Sequence, residues 1–222
     1  MKDHYRAHKK VLLAVDCIIF GFDQDNLKIL LIKRDFEPEK GKWSLMGGFL
    51  RPDETLDDAA SRILQKLTGL HDIYLDQLRS FSQPERDPVD RTVSTAYYAL
   101  INIEEHNEEL TKKHSAEWFN VQDIPPLIFD HDEMIRQAIK RLRYKASVEP
   151  IGFELLPEKF TMRQLQKLYE AILGQKLDKR NFIKKILSQD VLIKLDEKDM
   201  TSSKKGSFLY KFDAEKYDRF KI

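Results

Sequence analysis

The chain has 222 residues, 41% of them apolar, and 38 basic against 37 acidic side chains give a formal net charge of +1, which leaves room for one ordinary domain and a smaller companion. The whole-chain balance selects no partner, but residues 1–145 hold 22 basic and 25 acidic side chains and residues 146–222 hold 16 and 12, as expected of an acidic-to-neutral domain joined to a basic one. One cysteine, Cys17, excludes internal disulfides, no apolar run reaches membrane-spanning length, and the charged start MKDHYRAHKK lacks a signal-peptide pattern, so a reducing, cytoplasmic setting is expected.

In chain order, residues 11–22 read as a buried strand, 22–26 as a turn and 27–34 as its antiparallel partner. Asp16 interrupts the first apolar run. A buried carboxylate needs a partner, so it is either tied to a neighbouring donor or faces a pocket and accepts from a ligand hydroxyl. Lys33 and Arg34 leave the same choice between solvated charge and ligand contact. A helix is predicted from about Thr55, with Leu56, Ala60, Ile63, Leu64 and Leu67 on one face, Asp53 or Glu54 at its cap, Asp57 and Asp58 in its first turn and Gly69 just past its end. Residues 73–81 and 92–102 read as strands around a loop, 82–91, that holds two prolines and five charges and either is solvated or hangs over a cleft. A short strand at 116–120, the break Pro125-Pro126 and a helix from Asp130 to Lys145, capped by Asp130 or Asp132, complete this part.

The remainder has another rhythm. Residues 153–156 read as a short strand, 157–160 as a connector, 161–173 as a helix, 174–177 as a tight turn, and 179–189 as a second helix capped by Asp178. Residues 191–195 and 207–212 form a hairpin with a polar tip. Helix, turn, helix, hairpin is the order of a winged helix-turn-helix. The second helix turns Lys179, Arg180, Asn181, Lys184, Lys185 and Ser188 outward, a set able to read bases through Arg180 and Asn181 and hold phosphates through lysines; Lys204 and Lys205 at the hairpin tip would meet the backbone or minor groove. An ordinary solvated basic helix is the plainer alternative.

Two stretches carry a family resemblance. Gly48, Glu54, Arg62 and Gly69-Leu70, approached through Gly41-Lys42-Trp43-Ser44-Leu45-Met46-Gly47, fall in the register of the Nudix box of nucleoside-diphosphate-linked hydrolases, and the frame of that pattern is intact. Where the family has its metal-binding and base glutamates, this chain has Ile63, Lys66 and Leu67, so neither the metal nor the usual hydrolysis is expected. With the Pro84-Glu85-Arg86-Asp87-Pro88 loop and the Leu177-Asp178-Lys179-Arg180-Asn181-Phe182 stretch, the chain resembles the Nudix-related transcriptional regulators over nearly its whole length.

That resemblance implies a Nudix-like α/β/α sandwich over residues 1–148 followed by a winged helix-turn-helix over 149–222. It further implies a homodimer on a palindromic operator, whose grip responds to a small metabolite in the old catalytic cleft. The eroded box favours the L-arabinose branch of the family over the ADP-ribose branch, because a neutral sugar needs hydroxyl partners and no bridging cation. The expected ligand set is Asp16, Lys33, Arg34, Gly47, Gly48, Asp87 and Arg91, with no cofactor, and a repressor released by inducer is the expected sense. A hydrolase using Glu54, Asp57, Asp58, Glu85 or Asp87, and a module whose basic tail binds RNA or protein, are the other readings.

Overall fold

The computed structural model describes residues 8–69, 73–103, 116–201 and 205–217, with the side chains of residues 67 and 68 left aside. Strand β1 (Leu12–Phe22) is the spine. It pairs in parallel with β6 (Thr92–Asn102), from Leu12 opposite Thr92 to Phe22 opposite Asn102. On its other side it meets β2 (Leu27–Lys33) over residues 19–22 and β4 (Met46–Phe49) over residues 14–17, both antiparallel. The sheet runs β3 (Trp43–Ser44), β2, β1, β6, β5 (Tyr74–Phe81), with β4 on β1 and β7 (Ala116–Asn120) on β2.

The two-residue period of β1 sorts its side chains between two layers. Val15, Cys17 and Ile19 face α1 (Leu56–Thr68) and pack with Ala59, Ala60, Ile63 and Leu64. Ile18, Phe20 and Phe22 face α2 (His131–Val148) and pack with Met134, Ile135, Ala138 and Leu142. The sheet thus lies between helices, as the α/β/α expectation requires. The cap of α1 is Thr55 rather than Asp53 or Glu54: its hydroxyl accepts from the Asp58 N–H while Asp58 accepts from the Thr55 backbone. Glu54 is engaged elsewhere, by Arg62.

In the second half, residues 153–156 do not form the expected strand. Gly152 takes φ +88° and starts a 3-10 turn, Phe153–Leu155, and the strand lies later, at β8 (Lys159–Thr161), where a connector was expected. The cause is pairing that local sequence does not carry: Lys159 to Thr161 lie opposite Lys211 to Leu209 of β10 (Ser207–Phe212), which also pairs β9 (Leu192–Asp199). Helix α3 (Met162–Leu173) opens on a Thr161/Gln164 capping box and ends at Gly174 in the left-handed region, and α4 (Lys179–Ser188) is capped by the Asp178 carboxylate. A last short helix, α5 (Ala214–Tyr217), lays Tyr217 edge-on against Phe153 and Phe212.

The two halves share one core. Leu165, Leu168, Tyr169, Ile172, Phe182 and Ile186 of the helix pair are continuous with the sheet residues under α2. At the far end of α2, Arg143 Nε donates to the Ile172 carbonyl at 3.0 Å and Lys185 Nζ to the Ser147 carbonyl at 2.8 Å. Among the described residues no helix is long and apolar enough to cross a membrane.

Candidate functional site

A cavity of about 140 Å³ opens where the ends of β1, β2 and β4 meet the 82–91 loop and the start of α2. Asp16 is its polar floor. The carboxylate accepts from Ser94 Oγ at 2.6 Å and lies 3.6 Å from an Arg86 nitrogen and 3.8 Å from His131 Nε2. Arg86, itself buried, donates through Nε and Nη2 to both oxygens of Asp130 at 3.0 and 2.7 Å, the bidentate geometry a guanidinium offers a carboxylate. One arginine therefore ties the loop to β1 and to the residue that precedes α2. Because Asp130 spends its carboxylate on Arg86, α2 begins without a side-chain cap.

His131 is fixed by the same packing. Its Nδ1 accepts from the Leu45 N–H at 3.1 Å, so the proton of the neutral ring sits on Nε2, towards Asp16. Burial pushes its pKa down, against the pull of Asp16. Phe129, with φ +52°, turns the chain into α2 and lines the cavity with Arg34, whose guanidinium lies 3.8 Å over the Phe36 ring and 5.5 Å from that of Phe129. Phe36 and Phe49 stand at the mouth, 56% and 55% exposed. Gly47 is needed for a steric reason: a Cβ there would run into the Asp16 carboxylate.

Of the ligand set expected from sequence, Asp16, Arg34, Gly47, Gly48 and Asp87 line this cavity. Lys33 does not. Its chain neighbours Ile32 and Arg34, the latter just past the end of β2, face the cavity, and Lys33 points to the other side, with its ammonium 5.0 Å over Trp43. Arg91 does not either: it donates to the carbonyls of Ser82, Gln83 and Thr92 and holds the ends of the loop together. Arg86, Phe129, His131 and Phe36 are among the lining residues absent from that set. Arg86 was visible inside the Pro-Glu-Arg-Asp-Pro motif, but its partners lie 44 and 70 positions away in the chain.

The box keeps its frame and changes its lining. Arg62 donates to Glu54 at 2.8 and 2.5 Å and to the Phe49 carbonyl, and this guanidinium draws the Glu54 pKa down to about 2. Ile63 is buried, and its terminal methyl would sit 3.4 Å from a Cβ placed on Gly48; Lys66 is exposed. The Leu67 side chain lies outside the described residues. Among those described, no three acidic, histidine or cysteine side chains gather as a metal would need. An aliphatic chain and an ammonium give a divalent cation no oxygen, so the donor set does not fit the ion that a Nudix box holds.

In the winged helix, Lys179, Arg180, Asn181, Lys184, Lys185 and Ser188 are all exposed on α4. Two are engaged within the molecule: Lys185 by the Ser147 carbonyl, and Ser188, which donates to the Lys185 carbonyl at 2.7 Å. Lys205 is exposed at the hairpin tip; Lys204 lies outside the described residues.

Comparison with known proteins extends this picture. A model described as the NUDIX domain matches residues 10–141, and one described as the NrtR DNA-binding winged helix domain matches residues 152–212. The ADPR responsive transcriptional repressor NtrR of Acinetobacter baylyi is 35% identical over 93% of this chain and 84% of its own length. The structure of Shewanella oneidensis NrtR complexed with a 27mer DNA matches with a TM-score of 0.84 at 30% identity, covering 93% of this chain and 95% of that one. The NUDIX domain of Shewanella oneidensis NrtR complexed with ADP ribose matches with a TM-score of 0.55 at 31% identity, over 64% of this chain and 99% of that one.

Proposed function

This chain belongs to the NrtR family, in which a Nudix domain precedes a DNA-binding winged helix, and from that premise we propose that it is a cytoplasmic transcriptional repressor released from operator DNA by ADP-ribose. Residues 1–148 act as the sensor and 149–222 as the DNA-binding domain. The observation that carries this reading is the match over 93% of the chain to a repressor named for its response to ADPR, in a protein with a lined cavity beside its box.

The cavity supports the effector on chemical grounds. At about 140 Å³ it is smaller than the ~300–1,000 Å³ common for drug-sized ligands. It suits one pentose unit whose hydroxyls donate to Asp16 and Asp87, while the diphosphate lies towards Arg34 and a base stacks on the exposed Phe36 or Phe49 ring. The pentose is the chemistry that ADP-ribose shares with L-arabinose. The eroded box and the small cavity keep L-arabinose as the second reading, yet two of the relatives named above carry ADP-ribose in their names and none carries arabinose, and ADP-ribose takes first place. Hydrolysis is not expected, since the residues at the box supply no cation site.

Release requires that the effector prefer one arrangement of the two domains. Helix α2 is suited to transmit that preference: its first turn borders the cavity through His131 and its last two turns hold α3 and α4 through Arg143 and Ser147, about 18 and 24 Å further along the helix at ~1.5 Å per residue. A homodimer, joined through the sensor domains, would set two α4 helices one helical turn of DNA apart, about 34 Å. A thermal-shift series with ADP-ribose, ADP and L-arabinose tests the effector. ADP-ribose should stabilise the protein and weaken its mobility shift on promoter DNA; stabilisation by L-arabinose alone would promote the second reading, and magnesium-dependent turnover of ADP-ribose would return the chain to the hydrolases.

A further inference from the structure

Another cavity lies on the seam between the two halves, away from the box. It holds about 330 Å³, within the ~300–1,000 Å³ usual for small-molecule sites. The β1–β2 turn and the turn after β7 form its sensor wall, and the last turns of α3 with the segment that follows form the other. The opposite face of α3, with Leu165, Leu168, Tyr169 and Ile172, is packed into the shared core. Across the cavity the walls are linked by Lys167 and Asp25 at 2.5 Å, whose side chains are 37% and 68% exposed, and an ion pair so open to water adds little.

The charges in this cavity cancel. Glu170 accepts from Lys176 at 3.0 Å, from Gln166 Nε2 at 3.1 Å and from the Leu177 N–H at 3.0 Å, and Asp25 is taken by Lys167. What remains open is neutral. The carboxamides of Asn26, Gln122 and Gln175 make no hydrogen bond among the described residues, the Asn120 amide oxygen is buried without a partner, and the Ala171 carbonyl, in the last turn of α3, accepts from no described backbone donor. A carboxamide presents an acceptor beside a donor, and the small group that answers both at once is a hydroxyl. Adjacent hydroxyls on one ring answer both atoms of the amide, while Leu27 and Val121 offer apolar surface to the C–H face of that ring. A charged ligand would have to break one of two closed ion pairs, and a neutral one leaves both in place.

We propose that this cavity is a second ligand site, for a neutral polyhydroxylated molecule of monosaccharide size held between the Asn26 and Gln122 carboxamides of the sensor and Gln175 of the winged helix domain. Because its walls belong to both halves, an occupant favours the arrangement that keeps them apposed and so changes affinity for DNA. The site is independent of the ADP-ribose reading, and only the coupling rests on the chain being a DNA-binding protein.

The test is saturation-transfer-difference NMR of the full-length protein with L-arabinose, D-ribose, D-xylose and D-glucose in turn, each in the presence of excess ADP-ribose. At least one sugar should give a signal that survives in Arg34→Ala, at the box cavity, and falls to the level of a buffer blank in Gln122→Ala/Gln175→Ala, two exposed turn positions where truncation spares the core. The same sugar should change the affinity of the wild-type protein for promoter DNA by about fivefold or more and leave that of the double variant unchanged. No signal from any of the sugars would overturn the site, and so would a signal lost in Arg34→Ala and kept in the double variant, which would place the sugar beside Asp16. Binding at the seam with unaltered promoter affinity would overturn the coupling. A seam signal from a protein that gives none with ADP-ribose itself would support this site and overturn the effector reading.

Discussion

A carboxylate inside an apolar strand is tolerated when donors surround it, and Asp16 has Ser94 against one oxygen with Arg86 and His131 beyond hydrogen-bonding distance. Its remaining lone pairs face the cavity, which is what a hydroxyl-bearing ligand requires. Gly47 makes room for that carboxylate. In Gly47→Ala the new methyl would also lie 3.0 Å from the Val15 carbonyl, and the overpacking should cost about 1–3 kcal/mol, read as a lower denaturant midpoint with an unchanged m-value. An unaltered midpoint would mean that Asp16 moves freely and is not held as described. Glu54 gives a different signature. Arg62 depresses its folded pKa from 4.5 to about 2, so the stabilisation is complete above the unfolded value and is lost as pH falls from about 4.5 towards 2. Glu54→Gln should remove that part of the acid-stability profile and lower stability at neutral pH, where the wild-type carboxylate is charged. Identical Tm-against-pH curves below pH 5 for the two proteins would contradict the assignment.

Elements with local signatures were legible before the fold was. Thr161, Asp178, Gly69 and Gly174 stand at helix ends where side-chain oxygens or a left-handed turn are needed, and the period of β1 announces its two buried faces. What the sequence could not carry were relations across distance: the parallel pairing of β1 with β6, the strand at β8 that exists only against β10, and the convergence of Asp16, Arg86 and Asp130 from three separate segments. The cavity was half legible for this reason. Asp16 and Arg34 showed themselves as charges beside apolar strands, whereas Lys33 shared that signature and faces elsewhere. Helix α2 is where the unreadable part matters most, because Arg86 occupies the carboxylate that precedes it. Asp130→Asn keeps a side chain able to cap and removes the charge-assisted pair, worth about 1.5–3 kcal/mol for a hydrogen bond to a charged group. If that pair holds the operator-competent arrangement, promoter DNA binding without effector should weaken by up to about 10- to 150-fold, at ~1.4 kcal/mol per tenfold, and ADP-ribose binding should tighten. Wild-type values for both, by mobility shift and calorimetry, would remove α2 from the coupling.

At the scale of the molecule, a sensor and a DNA-binding domain that share one hydrophobic core cannot change their relation through a loose linker. Leu165, Tyr169, Ile172 and Phe182 are packed into the same cluster as Phe20, Leu142 and Ala146, so any rearrangement must exchange one packed arrangement for another. Such a rearrangement couples the two sites, and the coupling is reciprocal, whereas independent domains would show a factor of one in both directions. If ADP-ribose lowers affinity for promoter DNA by some factor, promoter DNA must lower affinity for ADP-ribose by the same factor, and couplings of this kind lie at about 5- to 150-fold. Titrating ADP-ribose into the free protein and into the protein saturated with promoter duplex should give two dissociation constants whose ratio equals the loss of operator affinity at saturating effector. The Lys185 contact to Ser147 and the Arg143 contact to Ile172 give the ratio a structural handle: Lys185→Ala with Arg143→Ala should reduce it while sparing the cavity. Equal ADP-ribose affinities in the presence and absence of DNA would mean that the effector binds both arrangements alike, and then no repacking of this core could serve as the switch.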